Sequence, residues 1–465
     1  MPVVIPTRVG LALEPALRRH LYQRTDWGVG RMQRQSNEKS IGHGRRRLRH
    51  ALTLGFLVVA LVTTSLAAQG SAATGRVGDS TGVTAKEIKI GYIFSKAGLA
   101  GSTFENAGNG FDARIKAQNA KGGVNGRKIA VTTVDDSGAT NNLVAAQALV
   151  QNDKVFAVVN NSPFAFLSYR FLLGSGVPML GGGYDGNEYG QPGNEKLISI
   201  LGNSAPVYAP QYTPGFVQLM KKKGATKVGT VSYGASASST ASAKNLQKYA
   251  VPAAGLDPAY TNTTVDFGTT DVGPLVLGMK NAGVDAAYLP LVLSTNLAII
   301  QTAAQNNLNF KLAVLATGYG QSLLDQPAAK SIGPEVLFAQ GWAPVELKTA
   351  ATKKFVSDVT KYTSFRGVPD FGVYTGYLAA DLLIKGLLAA GKNPTRDGYI
   401  TATKGLNTWD AAGLGCQPVD VSAQGFGTAP KTACSWYLQI KNGKFVPYPN
   451  KNPIKGTLIP ESLNG

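Results

Sequence analysis

The sequence predicts an α/β protein of two lobes, each built on a parallel central sheet, joined by a multi-strand hinge. Two observations carry this. Short apolar, β-branched runs recur with helical segments between them, and the series starts over midway along the 465 residues. Runs apolar on both faces and spaced by helices are the pattern of parallel strands covered on each side. A chain of this length also exceeds one ordinary core, so two domains are expected.

The first series of strands falls at 88–94, 128–134, 155–159 and 177–180, and the second at 227–233, 286–289 and 311–316. Among the helices, Tyr212, Phe216, Leu219 and Met220 recur at i, i+4, i+7 and i+8 and define one buried face. Asp271 is placed to cap a helix carrying Leu275 and Met279. Ser294 is placed to cap one carrying Leu297 and Ile300, and Thr140 one after Asp135-Asp136. Tyr374, Leu378 and Leu382 form the stripe of a long helix over 374–388. The segments 436–439 and 445–448, joined through Asn442-Gly443, read as a hairpin. This order assigns 86–207 plus 336–408 to lobe 1, with a strand at 336–343 re-entering that lobe. Lobe 2 receives 208–335 plus 409–465. Repeated crossing makes a hinge whose halves can close on one another.

Ahead of the fold, 1–67 reads as an export signal with a long N-terminal lead. Arg45-Arg46-Arg47-Leu48-Arg49-His50 supplies the positive region, 51–66 the apolar core, and Ser65-Leu66-Ala67 a small-x-small cleavage pattern. Met32 is a candidate start, and the consecutive arginines are compatible with a twin-arginine route. No cysteine follows the apolar core for lipid attachment. Residues 68–85 are small and polar and read as a flexible linker. The expected location is therefore periplasmic or extracellular, at the cell surface.

Charge and composition narrow the chemistry. The formal net charge is +19, of which +8 lies in 1–67, where eleven Arg or Lys meet three Asp or Glu. The remainder is spread thinly, whereas a nucleic-acid binder concentrates its charge in a stripe, so no nucleic-acid partner is expected. The cluster Lys221-Lys222-Lys223 precedes Gly224 and suits a helix C-terminus. All three histidines, His20, His43 and His50, precede the cleavage point, so the mature chain has none. That removes Ser-His-Asp and Cys-His catalysis and His-ligated zinc. The two cysteines, Cys416 and Cys434, read as a disulfide closing a surface loop, worth about 3 kcal/mol in the chain-entropy model. No Gly-x-Ser-x-Gly elbow or phosphate-binding Gly-rich loop occurs. Asp135-Asp136 is the most tempting acid pair, and a capping role fits it better than catalysis. Neither an enzyme, a cofactor nor a metal is expected.

A family pattern runs through these elements. Ile88-Lys89-Ile90-Gly91 leads to Gly110, Asn119, Gly122-Gly123-Val124-Asn125-Gly126-Arg127-Lys128 and Asp135-Asp136. This resembles the opening of the type I periplasmic binding proteins, in the branched-chain amino-acid (Leu/Ile/Val-binding-like) branch that serves ABC importers. Asp266-Phe267 and Gly283-Val284-Asp285 resemble its second-lobe signature. The resemblance covers about 86–448 and implies two Rossmann-like lobes that close on a small molecule and deliver it to an ABC permease, from a monomeric mature chain. The glycines and Asn125 have their own reading, a tight turn tolerant of positive φ.

Ligands of that family sit between the lobes, against loops at the carboxyl ends of strands, as in open α/β sheets generally. Carried over, the resemblance implies a site of Phe94, Ser95, Asn161, Ser162, Phe164, Gly183, Tyr184 and Asp185 from the first lobe. Tyr233, Ser236, Leu293, Thr317 and Tyr319 come from the second. Ser162 takes the place of the hydroxyl that meets an amino-acid carboxylate, and a plain N-cap is the equal alternative. Thr317 stands where amino-acid binders present a carboxylate to the ligand ammonium. An ordinary α-amino acid is therefore disfavoured unless Asp185 supplies the charge. Tyr184, Tyr233, Tyr319 and Phe164 would make the cleft aromatic, suiting a flat, apolar or amide ligand. A secreted sensor using the same cleft, and a histidine-independent secreted hydrolase, are the rival functions.

Overall fold

The computed structural model describes residues 78–183, 188–189, 191, 193–194, 196–201, 212–422 and 434–459. The expected export signal, Tyr184 and Asp185 lie outside them. In the first lobe, β1 (Glu87–Phe94), β2 (Lys128–Asp135), β3 (Ala157–Asn160), β4 (Met179–Gly181) and β5 (Leu197–Ser199) pair in parallel, in the order β2-β1-β3-β4-β5. Ile93, Val158, Met179 and Leu197 bury one face under the helices Asn142–Gln151 and Tyr169–Gly174. Ile90, Tyr92, Val159 and Leu180 bury the other, beneath Ala107–Ala120 and Phe371–Ala389. Coverage on both sides is why these strands read as continuous apolar runs.

The helices Ala107–Ala120 and Phe371–Ala389 touch backbone to backbone. A Cβ added at Gly110 would sit 1.9 Å from the Val373 carbonyl oxygen, and one at Gly376 2.1 Å from that of Ala107. Only glycine fits either position. The family-like turn does use left-handed backbone, with φ of +99° at Gly122, +76° at Gly123, 50° at Asn125 and +82° at Gly126.

The second lobe contains β6 (Tyr212–Thr213), β7 (Lys227–Tyr233), β8 (Asp257–Val265), β9 (Ala286–Leu289), β10 (Leu312–Leu315), β11 (Val336–Gln340), β12 (Cys434–Lys441) and β13 (Lys444–Tyr448). They end with β14 (Ile454–Lys455) and β15 (Thr457–Leu458). The main sheet runs β13-β12-β11-β10-β9-β7-β8, with β14 beside β12, while β15 pairs with β6. β11 is thus a strand of the second sheet, parallel to β10, and does not re-enter the first lobe as expected for 336–343. The chain returns only after Gln340, and the helices Ala350–Tyr362, Phe371–Ala389 and Arg396–Lys404 then pack on the first lobe. β12 and β13 form the expected hairpin, with Asn442 (φ 52°) and Gly443 (φ 70°) as a primed turn.

Other local expectations shift. Tyr212 lies in β6, before the helix Gly215–Lys222 that buries Phe216, Leu219 and Met220. Lys221 and Lys222 do occupy that helix's last turn, where the dipole favours cations. Asp271 does not cap Gly273–Asn281, which follows Val272. Ser294 sits inside Leu293–Gln305, and Asn141, not Thr140, precedes Asn142–Gln151. The expected flexible linker is fixed from residue 78 onward: Arg396 donates to Asp79 and to the Val155 and Phe156 carbonyls, and Ser80 Oγ donates to the Pro394 carbonyl.

The chain passes between the lobes after β5, after β11 and after the helix Arg396–Lys404. The last two join one another. Trp342 bridges Gly415, and Ala343 N–H donates to the Leu414 carbonyl at 2.7 Å. Trp409, just beyond the third, donates its indole N–H to buried Asp381, which also pairs with Arg114 at 2.9 Å. One buried apolar cluster runs from Ile90 and Phe164 in the first lobe to Tyr233, Leu293 and Phe338 in the second.

Candidate functional site

The site grows out of four strand ends. β7, β9, β10 and β11 finish at Tyr233, Leu289, Leu315 and Gln340, and the chain just beyond each opens onto a cavity of about 450 Å³. The first lobe adds Phe104, Pro163, Gly183 and Phe371, and the crossings add Leu201, Trp342 and Gly415. The cavity therefore lies between the lobes at the carboxyl edge of the second sheet, where open α/β sheets take their ligands.

Its walls are chemically uneven. Phe104, Tyr233, Phe267, Trp342 and Phe371 give it aromatic sides, while Ser236, Ser238, Ser239 and Ser242 give one serine-rich pole. Ser236 caps the helix Ala237–Asn245, accepting from Ser239 N–H, and its hydroxyl lies 3.2 Å from that of Ser238. No lining residue among those described carries a formal charge. Tyr233 is clamped by its own lobe: its hydroxyl accepts from Val292 N–H at 2.9 Å and donates to Thr295 at 3.1 Å. Burial raises the pKa of that phenol, so it stays neutral. Thr317, also in the wall, donates to the Leu291 carbonyl at 2.7 Å and accepts from Asn296.

Of the expected site residues, Gly183, Tyr233, Ser236 and Thr317 line the cavity. Phe94, Ser95, Asn161, Ser162, Phe164, Leu293 and Tyr319 do not. Ser95 and Ser162 are fully buried and both hydroxyls point at Asp136, itself fully buried. Asp136 also accepts from Gly138 N–H at 3.1 Å and from Asn142 Nδ2 at 2.9 Å. Both of its oxygens are engaged, so the tempting acid pair serves the first lobe's loops; Asp135 likewise accepts from Lys96 and Ser137 N–H. Ser162 caps no helix and accepts instead from Phe164 N–H at 2.9 Å. Asn161 donates to Tyr92 and Thr375, and Phe94 stacks on Tyr92 with ring centres 5.4 Å apart.

The other three residues, Phe164, Leu293 and Tyr319, belong to the seam between lobes. Phe164 of the first lobe meets Phe267 of the second at 4.9 Å, and Phe267 stacks on Tyr233 at 4.0 Å. Leu293 N–H donates across the seam to Thr103 Oγ1 at 3.0 Å. Tyr319 donates to Glu346 at 2.7 Å beside a void of about 10 Å³ that Leu293 and Asp370 also line. Asp370 holds together Val373 N–H, Asn106 and, from the second lobe, Ser322. Burial raises its carboxyl pKa, and burial followed by the Asp370 charge raises that of Glu105.

Cys416 and Cys434 form a disulfide, with Cα atoms 6.2 Å apart. It does not merely close a surface loop as expected, because both cysteines form part of the cavity wall and Cys434 is buried. Sequence reasoning also missed Phe104, Trp342 and Phe371. Trp342 carried a usable signal, a large aromatic in Gly341-Trp342-Ala343-Pro344 immediately past a strand. Among the described residues no group of three or more His, Cys, Asp or Glu could hold a metal ion.

Two lobes on parallel sheets, three crossings and a cavity at the strand ends define a binding body of the type I periplasmic fold. Residues 87–444 match the family model described as periplasmic binding protein, and the chain belongs to that family. It is 25% identical over 320 residues to the Leu/Ile/Val-binding protein homolog 7 of Brucella abortus (strain 2308), covering 65% of this chain and 77% of that one. Among solved structures it is similar to the fatty acid ABC transporter substrate-binding protein from Thermomonospora curvata. That pair has a TM-score of 0.67 and 20% identity, covering 83% of this chain and 96% of the other. It is also similar to an ABC transporter solute binding protein from R. palustris in complex with benzoate. There the TM-score is 0.60 and the identity 17%, covering 82% and 99%.

Proposed function

We propose that this protein is an exported solute receptor that captures a small, uncharged, largely apolar or aromatic molecule by lobe closure and delivers it to an ABC permease. It performs no chemistry on that molecule. The observation that carries the ligand class is the cavity itself: about 450 Å³, aromatic on its sides, serine-rich at one pole, and free of formal charge among its described lining residues. Desolvating an ammonium or carboxylate there without a partner costs several kcal/mol. An aromatic amide or alcohol would place its ring against Trp342 and Phe371 and its polar end at the serines. Relatives named for amino acids, fatty acids and benzoate support a small-molecule cargo.

Ligand-dependent thermal stabilisation of the purified mature chain tests the reading. Benzamide, benzyl alcohol, benzoate and isoleucine at equal concentration separate charge from shape, because a ligand bound only by the folded state stabilises by mass action. The neutral aromatics should raise Tm most. Stabilisation by isoleucine alone would overturn the ligand class.

A further inference from the structure

We infer that the Cys416–Cys434 disulfide is a binding determinant of this site, and that its reduction loosens ligand binding while the fold persists. The inference rests on the function proposed above. Three placements carry it. Both cysteines line the cavity that the strand ends enclose. Cys416 follows Gly415, which bridges Trp342, so it belongs to the paired crossings between the lobes. Cys434 opens β12, the strand hydrogen-bonded to β11, whose end leads into Trp342. The disulfide therefore closes a ring through the cavity's floor, from Trp342 to Gly415 and Cys416, across to Cys434, and back through β12 and β11.

Backbone hydrogen bonds and apolar packing hold this floor together with the disulfide. The Gly415 bridge and the Ala343-to-Leu414 hydrogen bond join the two crossings to each other. Beside the chain itself through 417–433, the Sγ–Sγ bond adds a second covalent tie between the third crossing and the second sheet. The apolar cluster through the seam holds Trp342 and Leu414, with Cys416 packed against it, so the fold does not rest on the Sγ–Sγ bond alone. A dithiol breaks the Sγ–Sγ bond by thiolate attack. Two electrons and two protons pass to Cys416 and Cys434, and the reagent closes to its own disulfide. The freed crossing then admits water beside the ligand and lets Trp342 shift.

The test uses 1-aminoanthracene, an uncharged fluorescent aromatic, as the probe. Oxidised wild-type protein should bind it with increased probe emission, and benzamide should compete. The Cys416→Ser/Cys434→Ser double variant should keep its circular dichroism spectrum and bind the probe at least about tenfold more weakly. Dithiothreitol should weaken wild-type binding equally, reoxidation should restore it, and intrinsic tryptophan emission should change in step in wild type but not in a Trp342→Phe variant. Reduction of wild type keeps the question answerable if the double variant does not fold. Unchanged affinity in folded, reduced protein overturns this inference and leaves the proposed function standing. Failure of the oxidised protein to bind the probe or benzamide overturns both.

Discussion

The carboxyl edges of the two sheets are built from similar residues and do different work. In the first lobe, Ser95, Ser162, Asn142 and Asn160 turn inward, are fully buried and satisfy Asp136 and one another. In the second, Tyr233, Ser236, Pro290 and Thr317 line the cavity; the Tyr233 and Thr317 hydroxyls are held by neutral groups of their own lobe, while no buried carboxylate draws these residues away from the cavity wall. The contrast teaches that a hydroxyl at a strand end has two competing partners, the solute and the lobe's own polar groups. A buried carboxylate wins that competition, because leaving it unpaired in the interior costs more than any exposed contact returns.

The sharpest way to break this contrast is to fill the cavity from the second lobe. Ala316→Phe should lower affinity for a neutral aromatic by at least about 100-fold, about 2.7 kcal/mol, while denaturant midpoints barely move. Calorimetric titration beside urea unfolding separates the two. On the first-lobe side the effect should fall on stability instead. Asp136→Ala strands the Ser95 and Ser162 hydroxyls, Asn142 and the Gly138 N–H, and should cost about 3 kcal/mol by urea unfolding. Ser162→Ala is the gentler version. Removing one buried donor should cost about 1 kcal/mol of stability and leave neutral-ligand affinity within about twofold. An affinity loss comparable to that of Ala316→Phe would place Ser162 in contact with the solute after all.

The smallest effect concerns the seam. Burial raises the Asp370 pKa, so the folded state holds that proton more tightly than the unfolded chain. Its contribution to stability is full below the ordinary aspartate range and is lost as pH rises through the raised value. Asp370→Asn should remove this decline, so the variant's stability relative to wild type improves with rising pH across the acid range. Urea midpoints at a series of pH values check the sign, and a difference independent of pH would contradict it.

Much of this architecture was legible because parallel strands buried on both faces print as apolar runs. The long helix over 371–389 shows its stripe, and the hairpin its Asn442-Gly443 turn. An apolar run does not say which sheet it joins, however. The segment 336–340 has the same composition whether it closes one sheet or opens the return to the other, and only pairing with β10 and β12 decides. Caps were less legible still: Asp271, Ser294 and Thr140 have suitable side chains, but the backbone enters each helix one or two residues away. At the site, periodicity places a residue near a strand end and not on a side of it. Tyr233 and Thr317 reach the cavity while Ser95 and Ser162, equally near their strand ends, are drawn to Asp136. The disulfide was legible as a pair and not as a wall, since spacing carries no information about what faces the sulfurs.

The apolar cluster that passes unbroken from one lobe to the other has a kinetic consequence. Parting the halves must bring Phe164, Phe267 and Leu293 into water, and that exposure is opposed whether or not a guest is present. On the proposed function, openings of the empty protein are then brief, and capture is the closure that follows a solute's entry during one of them. Stopped-flow association rates should accordingly level off as solute concentration rises, the plateau reporting the frequency of those openings.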